Sequence, residues 1–251
     1  QLLINRGISD AQEGGRFLNT DLKYLLDPFS FRDMPKAVEI IKEAAGSGKK
    51  VMLFGDYDVD GITSLALLKE TLKKFGIAPQ HYIPHRVREG YGLNKNITAI
   101  LKQKGAGLLI TADCGTNSHQ QIRELRRNNI EVIVTDHHEQ SDNEPSPASA
   151  VINPKIKGCV YKYRDLSGVG VAYKLCQALT GNILVEELDL VALGTVADIV
   201  PLTGENRVIV KEGLLRLSQA RRAGIKALME KSGIKGRRMT STFVSFVLAP
   251  R

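Results

Sequence analysis

Acidic residues cluster where a short apolar run of the chain ends. The segment Gly-Asp-Tyr-Asp-Val-Asp-Gly follows Val51–Phe54 directly and places Asp56, Asp58 and Asp60 at alternate positions. Three carboxylates crowded between a buried strand and a helix are costly without a cation. Helix capping would explain one of them but not all three. The spacing therefore favours a metal site.

Two later apolar runs end in the same residue types. Asp113 follows one run in Thr-Ala-Asp-Cys-Gly, and Asp136, His137 and His138 follow the next in Thr-Asp-His-His. A single Asp or His at a strand end is more often structural than functional. If three strands of one sheet end in such residues, those residues would converge on one site, because open α/β sheets bind ligands at the carboxyl ends of their strands. A fourth acid, Asp198, lies among small and apolar residues and needs a partner if it is buried.

The ligand types at these positions narrow the choice of metal. Carboxylates with an imidazole, and no thiolate pair, suit Mn²⁺ or Mg²⁺, and the histidine favours Mn²⁺. Clusters of this kind hold two ions for in-line attack at phosphorus. The residues alone therefore indicate phosphoryl or phosphodiester chemistry.

The elements that must position these residues can be predicted from the order of apolar runs and helical stretches. Short strand-like runs alternate with helix-length segments, which is typical of βαβ units. We expect an α/β fold: a mostly parallel sheet with helices on both faces. The predicted strands cover residues 51–54, 80–83, 108–111, 132–135 and 150–152, and the predicted helices cover 35–45, 61–75, 94–104, 118–128 and 169–179.

Composition excludes several classes of protein. With 43% hydrophobic and 25% charged residues, the chain is neither disordered nor fibrous. No apolar run reaches the 18 or more residues of a membrane span, so no membrane partner is expected. Three cysteines at no ligand-like spacing predict a reducing, cytoplasmic location.

The net charge of +8 lies wholly in the last fifth of the chain. Residues 1–200 carry 24 basic and 24 acidic residues, whereas residues 201–251 carry 11 and 3. Such a strip either holds a polyanion such as nucleic acid or is a solvated helical face, and charge alone does not choose between the two. The candidate DNA contacts in this strip are Arg221, Arg222 and Lys226.

Taken in order, the three motifs resemble those of the DHH phosphoesterase superfamily. Within it they are most similar to the RecJ family of single-strand-specific 5′→3′ DNA exonucleases. The resemblance covers nearly the whole chain. Further segments that resemble this family are Asn5–Gly7, Asp27–Pro28, Tyr82–Arg86, Glu89–Asn94, Leu166–Ala172, Leu190–Leu202 and Gly204–Arg207.

The resemblance implies two Mn²⁺ or Mg²⁺ ions and a role for each motif residue. Asp113 would bridge the two ions, Asp136 would orient an imidazole, His138 would face the scissile phosphate, and Arg86 would contact a DNA phosphate. Asp56 ranks below the other acids of its motif. The implied metal ligands are Asp58, Asp60, Asp113, His137 and Asp198, with Asp56 as the further candidate.

The implied organisation has three parts. Residues 1–46 are a helical N-terminal extension, and 47–202 are the DHH catalytic domain. Residues 203–251, helical through about residue 230, are a basic connector to a second, DHH-associated domain absent from this sequence. Because the sequence begins with Gln and stops at Arg251, we expect it to be a piece of a longer chain.

The expected function is hydrolysis of single-stranded DNA with release of 5′-mononucleotides, in DNA repair and recombination. The expected partners are single-stranded DNA, a helicase and a single-strand-binding protein, and the expected state is monomeric. Alternatives are a phosphodiesterase for short oligonucleotides or cyclic dinucleotides, and a non-catalytic replication scaffold of the Cdc45 kind. Related pyrophosphatases carry a His where this chain has Phe54, which argues against pyrophosphate. Every cluster position retains a ligand type, which favours an enzyme over a scaffold.

Overall fold

Five parallel strands form the central sheet of the computed structural model, which describes residues 1–141, 144–233 and 239–251. The strand order is β2-β1-β3-β4-β5, and every pairing is parallel. The predicted mostly parallel α/β sheet is therefore confirmed, with each strand within one residue of its predicted bounds. The strands are β1 Val51–Gly55, β2 Gln80–Tyr82, β3 Leu108–Ala112, β4 Glu131–Thr135 and β5 Ala150–Ile152.

Helices cover both faces of this sheet. Alternate residues of a strand point to opposite faces, so Leu53 joins one hydrophobic core while its neighbours Met52 and Phe54 join the other. The helices are α1 Ala11–Leu18, α2 Met34–Ser47, α3 Val59–Lys73, α4 Ile97–Lys104, α5 His119–Arg127, α6 Gly168–Thr180, α7 Leu188–Ala197, α8 Gly204–Ser218 and α9 Ala223–Lys231. Helices α4 and α5 pack on the second face, and α2, α3, α6 and α7 on the first. Among the described residues, no helix has the length and apolar character needed to cross a membrane.

The order in which the chain adds strands to the sheet reverses between β1 and β3. From β1 the chain moves outward to β2, then returns past β1 to β3 on its other side. The loops after β1 and β3 therefore diverge and leave a crevice, which is where open α/β sheets bind ligands. The first two acidic motifs leave these two strands.

The N- and C-terminal parts share the core of the sheet. Met34, Ala37 and Ile41 of α2 are fully buried in the same hydrophobic cluster as Leu53. Helix α8 lies along α7 and buries Ile209 in that cluster. The division into an extension, a catalytic domain and a connector thus remains a prediction, and residues 234–238 of the connector lie outside the described residues.

One helix was absent from the sequence prediction. Helix α7 is buried along its whole length, so its residues show no alternation between an apolar and a polar face. Between Pro201 and Lys231 the structure has two helices, α8 and α9, as the periodicity allowed, and a short helical segment follows at residues 241–248.

Candidate metal centre

The first acidic motif turns sharply from β1 into α3. The Asp56 amide donates to the Ala112 carbonyl at 3.3 Å, which continues the β1–β3 ladder beyond the strand. Asp58 caps α3 by accepting a hydrogen bond from Gly61 at 2.8 Å. A Cβ atom at Gly61 would lie 2.5 Å from the Asp56 carbonyl oxygen, so only glycine allows α3 to begin this close to the strand.

The second motif is held in a strained backbone. Asp113 has φ +61°, in the left-handed region that non-glycine residues rarely adopt. Its amide donates to the Thr135 carbonyl at 2.9 Å, and its side chain fills the space that a Cβ at Gly168 would need. Ile199, next to Asp198, also has a positive φ of +62°. Strain of this kind persists where a functional geometry requires it.

The motifs meet in one acidic cluster, which we define as Asp56, Asp58, Asp60, Asp113, His137 and Asp198. One atom from each of Asp56, Asp58 and Asp113 forms a group with mutual distances within 4.8 Å. Ligand atoms from the other three residues of the cluster form a second such group.

Asp113 connects these two groups. Its Oδ1 lies 3.2 Å from His137 Nε2, and that nitrogen lies 3.6 Å from Asp198 Oδ2 and 3.9 Å from Asp60 Oδ2. Asp113 also groups with His137 and His138 at ligand distances. Its position between the two groups is the one a bridging carboxylate needs.

Several buried polar atoms of the cluster lack a hydrogen-bond partner among the described residues. They are Asp56 Oδ1, Asp113 Oδ1, Asp198 Oδ2 and both ring nitrogens of His137. Buried polar atoms are normally paired, and His137 Nε2 lies within 3.6 Å of both Asp113 Oδ1 and Asp198 Oδ2. Oxygen and imidazole donors left in this way fit Mn²⁺ or Mg²⁺.

Burial and mutual repulsion both disfavour the charged carboxylates. Burial, followed by the charge of Asp113, raises the pKa of Asp60 well above its usual range, and burial with the charge of Asp58 does the same to the pKa of Asp113. Burial also raises the pKa of Asp56 and of Asp198. A divalent cation in the crevice would reverse this repulsion.

Asp60 differs from its neighbours because backbone amides already stabilise its negative charge. Its two carboxylate oxygens accept hydrogen bonds from the amides of Gly168 at 2.6 Å and Val169 at 2.8 Å, at the N-terminus of α6. These bonds fix the carboxylate and leave its remaining lone pairs for a metal. A Cβ atom at Gly194 would lie 2.9 Å from Asp60 Oδ1, so α7 also approaches this side chain closely.

Asp136 holds His138 rather than facing the cluster. Its Oδ1 lies 2.7 Å from His138 Nδ1, and its Oδ2 accepts from the Thr116 amide at 2.9 Å. Burial alone would raise the pKa of Asp136, but the hydrogen bonds from His138 and Thr116 lower the pKa to about 2. Asp136 therefore stays charged and orients the half-buried imidazole of His138 at the mouth of the crevice.

Sequence reasoning missed Tyr91, which contacts the same histidine. The Tyr91 hydroxyl lies 2.9 Å from His138 Nδ1 and 3.3 Å from the Asp113 carbonyl oxygen. Gly90 and Gly92, with φ +74° and +79°, form the turn that presents its ring. The Glu89–Asn94 segment carried the signal, since a tyrosine between two glycines is an unusual turn.

Arg86 lies beside the crevice. Its guanidinium stacks 5.2 Å from the centroid of the Tyr57 ring, and Tyr57 separates the first two acids of the motif. Its charge counts among those that lower the pKa of Asp56, although burial has the larger, opposite effect.

The basic residues after Pro201 lie elsewhere. Arg222 pairs with Asp189 at 2.8 Å and with Glu70 at 2.5 Å, and Arg221 pairs with Glu186 at 2.5 Å. Glu70 is ten residues along α3 from Asp60, which corresponds to about 15 Å of helix. The structure therefore does not bring Arg221 and Arg222 to the acidic cluster. Lys226 is exposed on α9, and a role of all three in DNA binding remains a prediction.

Comparison with known proteins gives concordant matches. The model of the DHH family, N-terminal domain, matches residues 50–195. The chain is 41% identical over 250 residues to the single-stranded-DNA-specific exonuclease RecJ of Bacillus subtilis, covering 100% of this chain and 32% of the relative. The chain thus spans about a third of that relative's length.

Solved structures agree with this likeness. A crystal structure of exonuclease RecJ bound to manganese matches with a TM-score of 0.80 and 36% identity, covering 92% of this chain and 58% of that one. RecJ of Thermus thermophilus in complex with Mn²⁺ matches with a TM-score of 0.78 and 32% identity, covering 99% of this chain and 35% of that one.

Proposed function

This chain belongs to the DHH family, and on that premise we propose that it is the catalytic half of a RecJ-like 5′→3′ exonuclease specific for single-stranded DNA. The observation that carries the proposal is the set of unpaired, buried carboxylate and imidazole atoms at the switch point of the sheet. Relatives named for this activity support the choice of substrate. A replication scaffold has no use for so complete a ligand set.

The geometry suggests which residues would hold each ion. Asp56, Asp58 and Asp113 would hold one, and Asp60, Asp113, His137 and Asp198 the other. When bound, two divalent cations activate water and offset the negative charge that builds on the phosphoryl oxygens. Sequence reasoning ranked Asp56 below its neighbours, but its burial and its unpaired oxygen give it equal standing with Asp58.

The remaining residues would position the substrate. His138, fixed by Asp136 and Tyr91, would donate a hydrogen bond to the scissile phosphate at the mouth of the crevice. Arg86 would bind a neighbouring phosphate through its guanidinium. Together these groups would hold the terminal linkage so that the bond to the 3′ oxygen breaks and a 5′-mononucleotide leaves.

We also retain the proposal that Arg221, Arg222 and Lys226 contact DNA phosphates. Each lost contact flattens the dependence of log K on log salt concentration by about 0.7 for a single strand. Because Arg221 and Arg222 already pair with acids of this chain, replacing all three should flatten the slope by less than three full contacts would. An unchanged slope would assign these residues a structural role.

Delivery of the strand would fall to a helicase and a single-strand-binding protein, and we propose that the protein acts as a monomer in the cytoplasm. These proposals rest on the exonuclease role. They predict that single-strand-binding protein changes the rate on long substrates and leaves the rate on short ones unchanged.

The direct test is digestion of end-labelled DNA with Mn²⁺. We expect 5′-labelled single strands to release labelled mononucleotide at once, and duplex DNA and RNA to be cut far more slowly. Blocking the 3′ end should change nothing. Release from the 3′ end, or equal rates on duplex, would overturn the proposal, and preference for di- or trinucleotides would favour the short-oligonucleotide alternative.

A second comparison tests what the remaining length of such a relative contributes to activity. The Bacillus subtilis relative can carry this chain in place of its own matching segment. We expect this chimera to degrade single strands at least about a hundredfold faster than the 251-residue chain alone, because misplacement of a strand alone can cost that much in rate. Equal rates at saturating Mn²⁺ would show that the chain alone positions the strand.

A further inference from the structure

A cavity of about 630 Å³ lies between the N-terminal segment and the start of α8. We call it the basic cavity. Five cationic side chains line it, against two carboxylates, Glu13 and Glu205, among the described residues. The cationic residues are Arg6, Arg16, Lys23, Lys162 and Arg207.

One of the two carboxylates does not offset this charge. Glu205 pairs with the fully buried Lys174 and accepts hydrogen bonds from the Tyr161 hydroxyl and the Leu26 amide. Its charge is therefore balanced from inside the protein. Lys23 pairs with Asp21 at 3.0 Å. The other four cations of the wall therefore face Glu13 as the remaining lining acid.

Two arginines of the cavity are close enough to repel each other. Burial, followed by the charge of Arg6, lowers the pKa of Arg207. A cavity whose cations outnumber the carboxylates that face them is characteristic of anion-binding sites. Arg207 is held in place by its Nε, which donates to the Phe17 carbonyl at 2.5 Å.

Aromatic rings alternate with these cations. The Arg207 guanidinium stacks 3.7 Å from the centroid of the Phe17 ring, and Arg16 and Lys23 lie 5.9 and 5.3 Å from that of Tyr24. Stacked arginines and aromatic rings beside a basic groove are the features that bind single-stranded nucleic acid without sequence preference.

The cavity is connected to the acidic cluster by a short stretch of chain. Asp198 of the cluster and Thr203 of the cavity wall are five residues apart, at most about 18 Å. The Tyr163 hydroxyl holds this stretch by donating to the Thr203 carbonyl at 2.9 Å, with the Pro201 carbonyl also within 3.2 Å. A strand held at the cluster could therefore reach the cavity within a few nucleotides.

We propose that the basic cavity binds the phosphodiester backbone of the single strand, with a base stacked on an aromatic ring of its wall. This inference rests on the proposed function and adds a second contact region for the same substrate. Arg207 also holds α1 against α8 through Phe17, so replacing it would confound binding with folding. Arg16 and Lys162 are exposed and are better targets.

The test is binding of a fluorescein-labelled oligothymidylate in EDTA, where no cleavage occurs. We compare the Arg16→Ala/Lys162→Ala protein with a Lys36→Ala/Lys102→Ala control, which removes the same charge from exposed sites on α2 and α4. The cavity variant should bind about tenfold more weakly at low salt, with a log K–log salt slope flatter by about 1.4. Equal dissociation constants and slopes for the two variants would overturn the proposal.

Two further arms sharpen the result. An abasic oligonucleotide of equal length should bind the unaltered chain more weakly, and equal binding would overturn the stacking part of the inference. Asp113→Asn should bind the oligonucleotide in EDTA as the unaltered chain does. If neither the unaltered chain nor the chimera cleaves single-stranded DNA with Mn²⁺, the proposed function is refuted while the cavity result stands, so the two failures are distinguishable.

Discussion

The Lys174–Glu205 pair and the acidic cluster both contain buried charged side chains, and they differ in how these charges are balanced. Lys174 and Glu205 form a buried ion pair, 0% and 3% exposed, with every charge matched. The Lys174 ammonium also donates to the Leu26 carbonyl at 2.9 Å, and Glu205 accepts from Tyr161 and Leu26. Most residues of the acidic cluster are also buried, although Asp58 is exposed, and five buried polar atoms of the cluster have no hydrogen-bond partner among the described residues.

The difference separates a structural site from a binding site. A buried pair that is fully hydrogen-bonded fixes the packing of α6 against α8 and the N-terminal segment. A cluster with raised carboxylate pKa values stores repulsion that a cation would relieve. Both groups are charged and buried, so only the pattern of satisfied and unsatisfied atoms tells them apart.

The largest effect is expected from Asp113→Asn. If Asp113 bridges two ions, its loss should lower the rate of Mn²⁺-dependent cleavage by about a thousandfold or more. The unfolding free energy without metal should stay the same or rise, because the change removes a buried and repelled charge. Urea denaturation and initial rates measure the two quantities.

The first motif offers an internal control for this result. Asp56→Ala should slow cleavage at least as much as Asp58→Ala, since Asp56 is buried with an unpaired oxygen while Asp58 is exposed and caps α3. The motif alone suggested the opposite order. A clearly milder effect of Asp56→Ala would restore the ranking expected from the sequence.

The buried ion pair should respond in the opposite way. Lys174→Ala leaves Glu205 buried without its counter-charge, so the unfolding free energy should fall by about 3–5 kcal/mol. Mn²⁺ binding to the folded protein should persist. The double variant Lys174→Met/Glu205→Gln should recover most of the loss. A stable Lys174→Ala protein would contradict the structural role of the pair.

A smaller effect is expected at the edge of the cluster. Tyr91→Phe removes the hydroxyl that contacts His138 and should lower kcat about tenfold, with Mn²⁺ affinity and melting temperature unchanged. A positioning role predicts that KM moves less than kcat. If KM alone rises, Tyr91 binds the strand instead of orienting the imidazole.

The smallest effect tests the strain beside the cluster. Ile199 is 85% exposed with φ +62°, a conformation that asparagine tolerates better. Ile199→Asn should therefore raise the unfolding free energy by about 1 kcal/mol. Val87, equally exposed and outside the left-handed region, provides the control. No difference between Ile199→Asn and Val87→Asn would show that the backbone at Ile199 stores no strain.

The sequence could predict the parts of this site that depend on local patterns, and it could not predict contacts between residues far apart along the chain. The alternation of strands and helices predicted the sheet, and strand ends followed by acids predicted their convergence at one edge. Helix α7 showed no periodicity because it is buried on every side. The pairing of Arg222 with Asp189 and Glu70 joins residues far apart in sequence, so a charge count could not reveal it.

Local patterns also hid the partners of His138. Asp136 was expected to orient an imidazole, and the structure shows that it contacts His138. The contact from Tyr91 spans 47 residues and depends on a turn built by two glycines with positive φ. The two flanking glycines indicate the turn, but the contact with His138 follows from tertiary packing and cannot be predicted from the segment alone.

The most direct test of the account is the number of Mn²⁺ ions bound per chain, measured by equilibrium dialysis. The unsatisfied cluster predicts two ions per chain, a higher melting temperature with Mn²⁺, and loss of at least one ion in Asp113→Asn. Lys174→Ala should still bind two. No bound Mn²⁺ in the unaltered chain, or two ions in Asp113→Asn with unchanged affinity, would contradict the claim that the unpaired atoms of the acidic cluster form a metal centre.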